Sequence, residues 1–302
     1  FGLNFMSAFF GAASVSVTFL VIRRVIYGSP FRDIIALAAA LFFGTSRSFW
    51  EYSSFAETYT LNMFFVSLLT LMFLKIKEDR TDKVYNAIAA FGLTAGLGLG
   101  NHPTLVFWLP SFAIMALIFR RDLVFSLKAV FNFLVSILAG FSIYFYVYFR
   151  GLAKPQFDIP RITSFQKFIY TLRAGQYGNV PMAKEQLSFG DVISGITDAI
   201  SWGGKDFTLL VWIMTLAAFI IAFRKYYRTI LPLFLPIIMV LSAVVVNPAA
   251  RFSLDRSSYG IGAFFVFALC IGAGLSVATE KLLLVNKEKI KRALAAALAG
   301  VV

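Results

Sequence analysis

The sequence predicts an all-α fold, a polytopic bundle of transmembrane helices with one long loop region on its outer face. Three observations predict it. Hydrophobic residues make up 59% of the 302 and charged residues 14%, against about 25% charged in a typical soluble domain. Thirty-five Phe and twelve Tyr are more than one soluble core buries, and mean hydropathy is +0.80. Apolar runs near bilayer-crossing length recur along the chain, separated by short basic clusters.

A tilted helix needs about 17–25 apolar residues to cross a bilayer core. Nine runs come near that length, at 3–22, 33–46, 59–76, 84–100, 103–119, 124–149, 207–223, 229–246 and 259–279, with a truncated tenth at 293–302. The second is the shortest. Runs 84–100 and 103–119 are parted only by Asn101-His102-Pro103 and read as a tight hairpin. Pro103 fits the first turn of the following helix, where its missing N–H costs nothing. The whole, 1–302, is expected to be one transmembrane domain with 150–206 as an extracytoplasmic loop or lid. Because the chain opens and stops within apolar runs, a fragment of a longer protein is expected.

Orientation follows from the distribution of Lys and Arg. One set of alternate loops carries eighteen of them, including Arg23, Arg24, Arg32, Lys75, Lys77, Arg120, Arg224 and Lys281. The other short loops carry three: Arg47, Arg251 and Arg256. The first set is read as cytoplasmic, which puts 46–58, 101–103, 150–206 and 247–258 outside, periplasmic or lumenal. Span interiors hold almost no ionisable groups, whereas ion-coupled transporters keep them near the midplane. A site at the outer interface is therefore favoured over a conduction path.

Several classes of function drop out. One His and one Cys make no zinc site, iron–sulfur cluster or intrachain disulfide, so neither a metal nor a cofactor is expected. The net charge of +13 is explained by membrane topology rather than by nucleic acid.

The outer loops supply the candidate residues. Glu51 and Glu57 stand among aromatics at the start of the 59–76 run, six residues apart and so not an obvious acid–base pair. They are equally readable as solvated acids in an aromatic belt. His102, at a hairpin tip, has the chemistry to donate to a phosphate or shuttle a proton, or to satisfy a local backbone group. Gly92, Gly96 and Gly100 form a small-xxx-small stripe for close helix packing, not a nucleotide loop. The aromatics of 150–206, among them Phe165, Phe168 and Tyr170, suggest a folded lid on the membrane. Arg251, Asp255 and Arg256 suit either an anion or a salt-bridged turn.

The order of these motifs resembles a protein O-mannosyltransferase-like family with bacterial and animal members, part of the GT-C superfamily of lipid-linked glycosyltransferases. Asn4-x-x-Ser7-Ala8-x-x-Gly11 is similar to its early span. Phe49-Trp50 with Ala56-Glu57-Thr58-Tyr59-Thr60-Leu61 resembles its Trp and Glu-x-Tyr-x-Leu block, and Gly98 to Thr104 its Asn-His hairpin. Tyr148-Phe149-Arg150, Pro155, Thr163, Phe168 and Gln176-Tyr177-Gly178 look like its outer-loop signature. Asp255 with Tyr259, before Gly272 and Gly274, looks like its last block. The likeness runs over residues 2–280. Two departures stand out: the stretch 156–161 lacks the family's Trp-Gly-like element, and the acidic residue that such enzymes carry after their first span would lie before residue 1. The fragment by itself is expected to be inactive.

What the resemblance implies is an inverting glycosyltransferase. It would transfer a mannose-like sugar from a polyprenyl-phosphate donor, held by the bilayer, to a protein or surface-glycan acceptor. The membrane would be a bacterial inner membrane, or the endoplasmic reticulum in a eukaryote. His102, Asn101, Arg150, Tyr59, Tyr177, Arg256 and Tyr259 are then the substrate- and phosphate-binding candidates. Glu57 and Asp255 are secondary acids or organisers. This implication requires Glu57, His102, Arg150 and Asp255 to line one cavity. The alternatives are a transporter or flippase of lipid-linked substrates and a non-catalytic subunit of a membrane complex.

Overall fold

The computed structural model describes residues 2–155, 162–172, 209–246 and 260–299, together with Gly190, Ile193 and Thr197. Among them the regular elements are all helical. In chain order they are α1 (Gly2–Val25), α2 (Arg32–Gly44), α3 (Arg47–Ser54), α4 (Tyr59–Glu78), α5 (Val84–Asn101), a 3-10 turn (Pro103–Trp108) leading into α6 (Leu109–Phe119), α7 (Arg121–Val124), α8 (Leu127–Phe141), α9 (Phe145–Leu152), α10 (Phe165–Leu172), α11 (Leu209–Ile230), α12 (Leu235–Val246) and α13 (Ile261–Ala299). Among the described residues four helical stretches, against the nine runs expected, are long and apolar enough to cross a membrane: Gly2–Val25, Tyr59–Glu78, Leu127–Leu152 and Ile261–Val285. The polytopic helical bundle expected from composition is the observed fold.

Prolines explain where helices break. Pro103 opens the 3-10 turn, and Pro110 sits in the first turn of α6. A proline there cannot donate to the carbonyl four residues back, so the chain restarts its helix rather than continuing one. Pro232 and Pro236 do the same between α11 and α12. Two elements differ from the sequence expectation. The loop 46–58 contains α3, held because Phe49 and Tyr52 are buried and the Phe49 ring sits 4.2 Å from that of Phe43. Residues 259–279 and 293–302 were expected as separate spans, yet α13 runs unbroken through 39 residues. Lys, Glu, Leu and Arg between them are strong helix formers, with no Pro or Gly to stop the helix.

The glycine stripe sets the closest packing. A Cβ on Gly92 would lie 2.7 Å from the Phe133 carbonyl oxygen, and one on Gly96 would run into the Ile137 carbonyl oxygen and the backbone of Gly140. In α8, Gly140 is the reciprocal gap, facing the Leu93 carbonyl oxygen. Backbone therefore meets backbone between α5 and α8, the arrangement that small residues permit in a membrane. Beyond that contact α8 faces outward: Phe131, Leu134 and Leu138 are exposed, as expected of side chains bathed by lipid rather than protein.

At the end of the bundle where the basic clusters gather, Arg120 is buried at 3% exposure and acts as a clamp. Its Nη1 donates to the Ile76 carbonyl at 2.5 Å and the Asp79 carbonyl at 2.6 Å, while Nη2 meets Asp122 Oδ2 at 2.8 Å. The last carbonyls of a helix have no intrahelical partner, so Arg120 ends α4 and ties it to α6 and α7. The Arg120 hydrogen bond holds the Asp122 carboxyl below the usual carboxylate range.

Candidate functional site

At the other end, α4 starts and α5 stops side by side. The Asn101 amide donates to the Thr58 carbonyl at 3.3 Å, which joins the two motif blocks. Behind that bond the Tyr59 ring lies 5.4 Å from the His102 imidazole and 4.9 Å from the Tyr52 ring. Tyr59, Asn62, His102 and Thr104 form the polar wall of a cavity of about 40 Å³, room for a few waters. Trp108, Val240 and Ile261 close the apolar side.

The imidazole is oriented by a short relay. Asn62 Nδ2 donates to Thr104 Oγ1 at 3.2 Å. Thr104 Oγ1 lies 2.7 Å from His102 Nδ1, and the Thr104 N–H donates to the same nitrogen at 3.3 Å. Because the Thr104 backbone N–H donates to Nδ1, that nitrogen is an acceptor, and the Thr104 hydroxyl turns its hydrogen toward it. With Nδ1 accepting, the neutral ring carries its proton on Nε2. Burial pushes the imidazole below its ordinary pKa and keeps it in this neutral form. The ring on the cavity wall then has one N–H donor, at Nε2.

Three buried oxygens have no partner among the described residues: Asn62 Oδ1 on this wall, and Thr60 Oγ1 and Ser111 Oγ outside the cavity lining. Buried polar atoms are nearly always satisfied, and an orphan asks for an explanation. Asn62, only 7% exposed, lines the cavity and is placed to accept from a ligand hydroxyl.

Glu57 is positioned through its backbone. Ser7 on α1 accepts from the Glu57 N–H at 3.1 Å and donates to the Glu57 carbonyl at 3.1 Å. Four residues on, Gly11 leaves room for Ser53, whose Oγ would lie 2.6 Å from a Cβ at that position. The Asn-x-x-Ser-Ala-x-x-Gly motif thus has a physical role: its Ser and Gly seat the segment joining α3 to α4. The Glu57 carboxylate itself is exposed, with no hydrogen bond or ion pair among the described residues. Glu57 does not line the cavity, although its neighbour Tyr59 does.

Arg150 stands farther off. Ile143 and Tyr144 touch the position of Gly100, and Arg150 follows six residues after Tyr144, about 9 Å along the helix. It is exposed and makes no hydrogen bond or ion pair among the described residues. Nearby, Phe168 of α10 is 3% exposed and packs on Phe145 at 5.5 Å and Tyr148 at 5.4 Å between ring centroids. Asp255, Arg256, Tyr259 and Tyr177 lie outside the described residues. Of the four residues expected to converge, then, only His102 lines the cavity among those described. Sequence reasoning missed Ser7 as a clamp and Asn62 and Thr104 as pocket groups. An amide inside the apolar run 59–76 was the available signal for Asn62.

Residues 1–126 match the family model of the protein O-mannosyl-transferase TMEM260 N-terminal domain. The chain is similar to the protein O-mannosyltransferase-like family. The protein O-mannosyl-transferase TMEM260 of Mus musculus is 27% identical over 189 residues, which cover 61% of this chain and 26% of that protein. The chain therefore spans about a quarter of the length of that relative. No solved structure matches it significantly. The matched stretch contains Ser7, Glu57, Tyr59, Asn62, Asn101, His102 and Thr104, which meet at one end of the bundle.

Proposed function

We propose that this chain is the membrane part of a GT-C-type glycosyltransferase, an enzyme that moves a mannose-like sugar from a polyprenyl-phosphate donor to a protein or surface-glycan acceptor. The pocket end is then the outer face of a bacterial inner membrane, or the lumenal face in the endoplasmic reticulum. The observation that carries this reading is the wall of Tyr59, Asn62, His102 and Thr104 at the bundle end, with a locked Nε2–H donor and an unpartnered buried acceptor.

In the reaction the acceptor oxygen attacks the anomeric carbon, the carbon–phosphate-oxygen bond breaks with inversion, and the acceptor proton passes to a carboxylate. His102 Nε2–H donates to the departing phosphate, where charge grows in the transition state. Asn62 Oδ1 accepts from a sugar hydroxyl. Tyr59 and Asn101 shape the entrance, and Arg150 and Arg256 supply positive charge to the phosphate. Glu57 is held by Ser7 as an organiser or secondary acid. Asp255 and Tyr259 precede Ile261 of the cavity wall in sequence and are assigned to the same site, as is Tyr177 from the long loop. The main base is assigned to a carboxylate outside this chain.

The test is sugar transfer from polyprenyl-phosphate mannose to a hydroxyl-bearing peptide by the full-length protein. His102→Ala and Asn62→Ala are expected to lower the rate about 100-fold and about tenfold, within the ranges for a lost transition-state donor and a lost ligand contact. Unchanged rates in both variants would remove this pocket from the mechanism.

A further inference from the structure

Tyr59 and Lys77 both lie on α4, eighteen residues and therefore about 27 Å apart along the helix. That is close to the thickness of the hydrocarbon core, so what happens around Lys77 happens at the opposite membrane boundary from the His102 pocket. There, α1, α4, α6 and α11 enclose a cleft of about 510 Å³, the size of a small-ligand site. Five cations line it (Arg24, Lys77, Arg224, Lys225 and Arg228) against one lining carboxylate, Glu78.

Two of the five are neutralised from within. Arg24 is paired with Glu78, its Nε 3.3 Å from Oε1, and Lys225 Nζ meets both oxygens of Glu280 at 2.7 and 2.8 Å. The other three form no ion pair among the described residues. Lys77 Nζ rests over the Phe119 ring at 4.2 Å, Arg228 Nε donates to the Tyr227 hydroxyl at 2.9 Å, and neither forms an ion pair among the described residues. Arg224 has no hydrogen bond or ion pair among them at all. Topology alone asks for basic residues at a cytoplasmic boundary; it does not ask that they be gathered in a concavity and propped by rings. Below the charges the cleft turns apolar, at Val25, Leu74 and Phe119.

Uncompensated guanidinium and ammonium groups in a concave site match phosphate oxygens. An apolar floor at the bilayer boundary matches the glycerol and first methylenes of a lipid better than a free anion. We propose that this cleft binds the phosphate head group of an anionic phospholipid from the leaflet at the basic end. The proposal stands apart from the transferase reading.

It is tested on the purified chain in neutral detergent, with bound lipid counted by native mass spectrometry during titration with short-chain phosphatidylglycerol, phosphatidylcholine or inorganic phosphate. Phosphatidylglycerol is expected to bind with clear preference. The R224Q/R228Q pair should weaken it at least tenfold, and the charge-matched K83Q/R121Q pair, exposed at the same end but outside the cleft, less than threefold. Equal weakening by the two pairs would overturn the proposal in favour of diffuse surface charge. So would binding of phosphatidylcholine as tight as that of phosphatidylglycerol. Equal occupancy by inorganic phosphate would assign the cleft to a free anion and also overturn it. Should R224Q/R228Q fail to elute as a folded species, Lys77→Gln is read in the same way, with a threefold loss expected and no loss counting against the site.

Discussion

Arg120 at one end of the bundle and Asn62 at the other are both buried polar groups, yet their surroundings are opposite. Arg120 spends its donors on two helix-terminal carbonyls and a carboxylate. Asn62 gives its amide N–H to Thr104 and keeps its oxygen unpaired. The Arg120 clamp is fully satisfied, whereas Asn62 keeps an unused acceptor. An unpartnered buried acceptor costs about 1–3 kcal/mol, and at Asn62, on the cavity wall, a ligand donor would recover it. That difference separates a residue that holds the fold from one left open to a ligand.

The sharpest way to break the contrast is to disturb what positions both ends. Gly96→Val puts side-chain atoms into the backbone of α8, an overpacking expected to cost about 3 kcal/mol or more. The measurement is recovery of a monodisperse peak in size-exclusion chromatography, which this variant is expected to lose. Next comes Arg120→Met, which removes the guanidinium's bonds to two carbonyls and to the Asp122 carboxylate at a site 3% exposed. A loss of about 2–3 kcal/mol is expected, seen as a drop in Tm of about 4–10 °C for a chain of this size, with sugar transfer by the surviving folded protein nearly unchanged. Thr104→Val should show the reverse pattern. It removes the hydroxyl that bonds His102 Nδ1, so transfer falls about tenfold while stability changes by only about 1 kcal/mol.

The smallest effect separates the ends by pH. Burial lowers the His102 pKa from 6.5, so the unfolded chain takes up its proton first as pH falls. The stability tied to neutral His102 is complete above 6.5 and declines as pH drops below it. Asp122, lowered from 3.8 by its Arg120 bond, contributes stability that is complete above 3.8 and is lost only as pH falls through its folded value. Tm measured against pH should therefore lose the first decline in His102→Gln and the second in Asp122→Asn. If both variants flatten the same window, the two ends are not independent.

Much of this was legible in the sequence because bilayer chemistry is coarse. Run length and basic clusters located the helices around Gly2–Val25 and Tyr59–Glu78, and Gly92 and Gly96 announced a close contact by their spacing. What escaped were boundaries decided by single residues: the α3 turn held by Phe49 and Tyr52, and the continuity of α13 through its charged stretch. The site was legible as two motif blocks, Glu57–Tyr59 and Asn101–His102, but not as a pairing. Nothing in linear order says that Asn101 reaches Thr58 or that Ser7 grips Glu57, contacts across 43 and 50 positions. Arg150 looked equivalent to His102 as a charge beside the outer boundary. The helix that carries it runs on past the pocket, which no spacing rule revealed.

α13 has a mechanical consequence. Its first residues, Ile261 to Ala263, form part of the pocket wall. Thirteen positions after Ile261, Gly274 presses against the backbone of Ala218 on α11, with Gly272 against Ile22 beside it. From that fulcrum the short arm to Ile261 is about 20 Å and the long arm to Ala299 about 38 Å. The arms stand in a ratio near two, so a rigid tilt about that contact that widened the pocket by about 1 Å would carry the far tip by about 2 Å.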